Sequence, residues 1–189
     1  MTVPTLSNKT NKQETIARLK KTYSTMAQAT NQIIAENGPV TSWTTTGNDV
    51  YMLYKKKLIN AKECNKTTGC FTQGDISYLN GGTTNWTDGH WNKLVLQDGT
   101  QILFSDGFNS QCNDSNINNH DGSNNYCARF FVDLNGARKP NTYGRDIFVF
   151  VLKANGLYPA GCDNISLCSK DYQGAACACK VLREDKIDY

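Results

Sequence analysis

A single apolar stripe at the start of the chain constrains the fold most. Ile16, Leu19, Tyr23, Met26, Thr30 and Ile33 recur at alternating steps of three and four residues. That spacing lines side chains along one face of an α-helix. Ala27 and Ile34 widen the stripe, while Arg18, Lys20, Lys21, Gln28 and Gln32 fall mostly off it. Asn37-Gly38-Pro39 is a strong stop, because glycine takes the left-handed cap and proline cannot continue the helix. Thr10-x-x-Gln13 and Asn11-x-x-Glu14 both have the form of a capping box. They place the start near residue 11, with Pro4 outside the helix or at a kink. The run from Ser7 to Glu36 would be roughly 45 Å long at about 1.5 Å per residue. Such a stripe needs an apolar surface to lie on.

The second half supplies one. The run from Lys93 to Ser105 is two alternating segments around Asp98-Gly99, a strong hairpin signal. Leu94 and Leu96 alternate with Val95, and Ile102 and Phe104 with Leu103, so both faces of these strands are expected to be partly covered. Arg129 to Leu134 reads as a third strand. Asp146 to Pro159 reads as a strand, a turn at Asn155-Gly156 and a short return. Val50, Leu53, Tyr54, Lys57 and Leu58 give a second, shorter helix with Asn48 or Asp49 as its cap. Gly81 to Gly89 reads as loop. Residues 106–125 hold seven Asn, three Asp and three Ser, and are expected to form a surface loop that buries almost nothing. A long helix followed by an antiparallel meander predicts an α+β fold, with the amphipathic helix of residues 1–39 packed on the sheet of a globular head, residues 40–189. The packing residues are Ile16, Leu19, Tyr23, Met26 and Ile33.

Eight cysteines sit in this polar chain: Cys64, Cys70, Cys112, Cys127, Cys162, Cys168, Cys177 and Cys179. An even number points to disulfides and an oxidising compartment. Many connectivities are open, and local pairing is preferred: Cys64–Cys70, Cys112–Cys127, and Cys168–Cys177 nested inside Cys162–Cys179. Cys177 and Cys179 flank one residue, so on a strand they would share a face and need separate partners. Zinc is disfavoured, because the spacings of 6, 15, 6 and 2 residues are not those of paired C-x₂₋₄-C ligands. The formal net charge of +3 is mild, and the basic runs at Arg18–Lys21 and Lys55–Lys57 look like solvated helix faces. Nucleic acid is not an expected partner.

At both ends the residues carry a resemblance. The opening, from Met1 to Gly38, resembles the segment that follows the hydrophobic start of bacterial type IV pilin-like proteins, a group that includes type II secretion pseudopilins. Near the other end, "FVDLNGARKPNTYGRDIFVFVLKANGLYPAGC" and the closing "GAACACKVLREDKIDY" resemble one pseudopilin-like subgroup. The stretch from Thr41 to Arg129 carries no resemblance. The family's basic leader, cleavage glycine, methylated phenylalanine and apolar helix are not in this sequence. The resemblance therefore implies the soluble part of a filament subunit whose spine helix has lost its upper half. The six residues before Ser7 cannot span a bilayer, which takes about 20 apolar residues. In full-length form the subunit would be anchored in the inner membrane and then move to a periplasmic or extracellular filament. Its expected partners are copies of itself, joined through the missing helix, other pilins and the secretion machinery. A rival expectation is a secreted disulfide-rich binding module for a glycan or a surface protein.

Site signals are sparse. Some pseudopilins bind calcium in a C-terminal loop, and the matching candidate here is Asp133-x-Asn135-Gly136 with Asp146. The same stretch also reads as an Asx-type turn that needs no metal. Asp114-x-Asn116-x-Asn118 begins like an EF-hand loop but lacks its Gly and its closing Glu. No cofactor other than calcium is suggested. His90 and His120 are candidate bases, yet no nucleophile motif accompanies either, so an enzyme is not expected. Trp43, Trp86 and Trp91 could stack on a sugar, although large aromatics more often fill cores.

Overall fold

The computed structural model describes residues 3–43, 46–58, 62–66, 69–72, 74–85, 91–136 and 138–189, with side chains from residue 11 onward. Three helices are present among them: α1 (Val3–Asn37), α2 (Gly47–Lys57) and α3 (Cys177–Glu184). Ten strands follow the chain as β1 (Lys62–Asn65), β2 (Asp75–Ser77), β3 (Thr83–Asn85), β4 (Asn92–Val95), β5 (Gln101–Phe104), β6 (Asp114–Ser115), β7 (Asn124–Tyr126), β8 (Ala128–Asp133), β9 (Ile147–Lys153) and β10 (Gly156–Pro159).

The expected α+β class needs correction. The chain is mostly β, with one six-stranded antiparallel sheet in the order β1-β4-β5-β8-β9-β10 and two small two-stranded sheets, β2-β3 and β6-β7. A long helix and four disulfides accompany these strands. Nothing in this arrangement is specific to pilins. The strands that sequence reading passes over are β1, β2, β3, β6 and β7. They are two to four residues long and mostly polar, so they carry no alternating apolar signal.

The central sheet is buried on both faces, which explains the unbroken apolar run of Ile147 to Leu152. Phe104, Phe130, Val132, Phe148 and Phe150 turn toward α1 and α2. Leu103, Phe131, Ile147 and Val149 turn to the opposite face, where Ile76, Phe71 and Ala175 cover them. Tyr51 and Tyr54 of α2 meet Phe104 and Phe130 with ring centroids 5.0–5.7 Å apart. Such tilted and edge-on pairs favour the aromatic quadrupoles as well as burying area. The Tyr54 hydroxyl lies 2.5 Å from Thr30 Oγ1, which also donates to the Met26 carbonyl. One polar link thus fixes α2 against α1 inside an otherwise apolar layer.

On α1, Ile16, Leu19, Met26 and Ile33 are buried. Tyr23 is half-buried, with its ring 5.4 Å from that of Phe150 and its hydroxyl donating to the Leu157 carbonyl at 3.1 Å. Thr22, Ala29 and Thr30 are buried beside them. The helix begins well before residue 11, at Val3, and takes in Pro4 near its first turn, where a missing N–H costs nothing. Gly38 closes it at φ +79°.

Two further expectations change. The cap of α2 is Thr46, not Asn48 or Asp49; Asp49 instead accepts from the Thr46 N–H at 2.9 Å and from its hydroxyl at 2.8 Å. Cys177 and Cys179 open a helix, not a strand. Residues two apart on a helix point in nearly opposite directions, so each reaches its own partner without sharing a face. Gly161 lets this end of the chain close up: a Cβ there would lie 1.9 Å from the Ala176 carbonyl oxygen.

Candidate functional site

The eight cysteines form four bonds: Cys64–Cys70, Cys112–Cys127, Cys162–Cys179 and Cys168–Cys177. No free cysteine remains among the described residues, so thiol nucleophile or metal-thiolate chemistry has no ligand there. The first bond closes the turn after β1. The second ties the Asn-rich segment to the start of β8. The last two fasten the segment after β10, from Cys162 to Cys168, to the first turn of α3.

The Asn-rich segment is more ordered than its composition suggests. β6 and β7 pair within it, and Asp121 and Ser123 are buried. Asp121 accepts from the Ser123 N–H at 3.1 Å and lies 3.5 Å from an Arg129 nitrogen. Burial pushes the Asp121 carboxyl above the usual range, with Arg129 and the Ser123 donors opposing the rise. Local hydrogen bonds let a polar segment bury its side chains where apolar contacts are lacking.

Asp121 lies on a pocket of about 250 Å³ whose other walls include His120, Arg129, Tyr78, Phe131 and Gln173. His120 Nδ1 is 2.5 Å from Gln173 Oε1. The pocket collects a base, a carboxylate and a cation, and Asp121 and His120 are each engaged by a protein partner. His90 and Trp86 lie outside the described residues. Trp43 is buried with its ring 6.3 Å from that of Phe108, so it serves the core. Trp91 is half-buried beside the second apolar layer.

The structure brings the calcium candidates Asp133, Asn135 and Asp146 together at the end of β8 and the loop before β9. Four of their five side-chain oxygens accept hydrogen bonds from the protein. Asp133 Oδ2 accepts from the Thr72 hydroxyl at 2.6 Å, and Oδ1 from the Asn135 N–H at 3.1 Å. Asp146 accepts from the N–H groups of Asn141 at 2.8 Å and Thr142 at 2.6 Å. Asn135 Oδ1 alone is buried without a hydrogen-bond partner. Calcium takes roughly six to eight oxygen ligands. The three residues supply five side-chain oxygens, four of them already accepting hydrogen bonds, which falls short of that need, and the cluster forms a hydrogen-bonded knot that shapes the loop. At the other candidate, Asp114 accepts from the Asn109 side chain at 2.8 Å, and Asn116 donates to the Tyr126 hydroxyl at 2.5 Å. Among the described residues no group of three or more His, Cys, Asp or Glu could hold a metal.

The knot has a consequence for pH. Burial, reinforced by repulsion from Asp146, pushes Asp133 up to about 7 from its ordinary 3.8. Burial also raises Asp146 and Asp121. The folded chain therefore binds protons that the unfolded chain has released, and stability grows as pH falls from about 7 toward 4. For Asp133 the gain is at most about 4 kcal/mol. Urea unfolding at pH 5 and pH 7.5 measures it: the midpoint is expected to be higher at pH 5, and Asp133→Asn is expected to narrow the gap. A midpoint that is lower at pH 5 would contradict the burial of these carboxylates. Asp98, lowered chiefly by its bond to Lys21, stays ionised across this window and does not obscure the test.

The missed feature is a basic cleft of about 560 Å³ between α1 and the loop of residues 134–146. Its cations are scattered in sequence, so no local run marked it. No described helix is long and apolar enough to cross a membrane. No curated protein and no solved structure matches the chain. A sequence-family model matches residues 5–164, from the first turns of α1 through β10, and its description is "Family of unknown function (DUF6613)". That match spans most of the 189 residues, and the chain belongs to this family of unknown function.

Proposed function

We propose that the chain is a structural subunit of a bacterial filament of the type IV pilus or type II secretion kind. One observation carries the reading: α1, from Val3 to Asn37, lies on the body along one stripe, with Ile16, Leu19, Met26 and Ile33 buried and Lys20, Ser24, Gln28 and Asn31 on its other side exposed. A long helix laid along a disulfide-stapled body, with an outer face left free, is the form a subunit needs when assembly runs through helices and the body faces outward. In this reading an inner-membrane precursor supplies subunits to a periplasmic or extracellular fibre, and its partners are copies of itself and other subunits of the machinery.

Fractionating cells that encode the chain tests this. Antibody against the body is expected to find it in the inner membrane and in fibres sheared from the surface or the periplasm. Recovery solely as a free monomer in the medium would defeat the filament reading and favour the secreted binding module.

A further inference from the structure

The cleft beside the N-terminal half of α1 carries a charge excess of which the fold uses Arg18, bonded to Glu14 and to the Leu134 carbonyl, and the Nε of Arg138, which donates to the Asn135 carbonyl at 3.2 Å. Five cations line it: Lys12, Arg18, Arg138, Lys139 and Arg145. Its two carboxylates, Glu14 and Asp146, are both engaged. Glu14 pairs with Arg18 at 3.0 Å, and Asp146 accepts the two backbone N–H groups described above. Five positive side chains against two negative ones leave three positive charges, equal to the formal net charge of the whole chain. Asp188, next to the lining residue Tyr189, is held by Lys186 at 3.0 Å. Lys12, Lys139 and Arg145 are exposed and make no salt bridge among the described residues.

A concave, partly apolar wall strengthens such a field by excluding water. Buried Leu134 and Ile187 provide that wall here. The volume lies within the range of small-molecule sites, roughly 300–1,000 Å³. Two guanidinium forks and two ammonium groups offer more donors than one carboxylate can accept, whereas a phosphate group presents three or more oxygens in the matching geometry.

We propose that this cleft binds a phosphate-bearing anion through Lys12, Arg138, Lys139 and Arg145. The proposal stands on the cleft alone and does not depend on filament assembly. Two sources present the same chemistry, a soluble phosphate and the headgroup of an anionic phospholipid.

The test uses the purified full chain with its disulfides intact. Inorganic phosphate is titrated while amide NMR shifts are followed, and flotation is measured with phosphatidylglycerol-containing vesicles and with phosphatidylcholine vesicles. The site variant is Lys139→Gln with Arg145→Gln, both exposed. The control is Lys56→Gln with Lys170→Gln, which removes the same charge from exposed positions elsewhere. Saturable phosphate shifts around residues 138–146 that weaken about tenfold or more in the site variant alone support the cleft with a soluble ligand. Flotation that needs phosphatidylglycerol and is lost in the site variant alone supports it with a lipid headgroup. Binding of neither probe, or equal loss in both double variants, overturns it. Because no filament is involved, these outcomes are independent of the fractionation result.

Discussion

Reducing the four disulfides is expected to abolish the folded state at 37 °C. Loops of 6 to 17 residues are closed by these bonds. Each closure is worth about 2–3 kcal/mol on the chain-entropy account. Four of them together rival the whole stability of an ordinary domain, about 5–15 kcal/mol. The C-terminal pair matters most for structure, because α3 is only eight residues long and two of its first three residues are cysteines. An isolated helix that short does not persist in water. Replacing Cys168 and Cys177 with alanine is expected to lower stability by about 2–3 kcal/mol. Circular dichroism melts with and without a thiol reductant check the larger claim, and an unchanged Tm in reductant would refute it.

Leu19→Ala is expected to cost about 2–5 kcal/mol, with the upper half of that range favoured if the cavity stays open. Leu19 is completely buried within the layer that α1 shares with the sheet. Exposed Gln32, on the outer side of the same helix, serves as the comparison; Gln32→Ala is expected to change stability by less than about 0.5 kcal/mol. Urea denaturation of both variants reads the difference. Equal midpoints would mean that α1 is not held by its apolar stripe.

How legible the fold is depends on how each segment is stabilised. The hairpin at Asp98-Gly99 can be read because glycine, at φ +86°, meets a local backbone demand, and its flanking strands alternate. β9 can be read because burial on both faces writes a continuous apolar run. The end of α1 can be read because Gly38 and Pro39 act through local sterics. The small strands are silent for the opposite reason: β2 and β3 bury a single residue between them, Ile76, and are held by pairing with each other. Thr46 is hard to choose over Asn48 as a cap, since all such short polar side chains compete for the role. The knot at Asp133 is half legible. Its Asx-type turn shows in the spacing, but the Thr72 hydroxyl comes from 61 residues away. The basic cleft is silent altogether, because only folding brings Lys12 beside Lys139 and Arg145.

The placement of the disulfides sets how the molecule bears a load. Every bond falls between Cys64 and Cys179, so neither α1 nor α2 has a covalent tie to the body. A pull applied to the N-terminal end of α1 is resisted only by the burial of its stripe and by a few polar links, among them Tyr23 to Leu157 and Lys21 to Asp98. The bonds are also local: β4, β5, β8, β9 and β10 lie outside every disulfide loop, so under the same pull the central sheet is held by its ladders and its burial, and the staples shorten the extended chain without locking the sheet. The seam between helix and sheet is the first part of the molecule that a load on α1 meets.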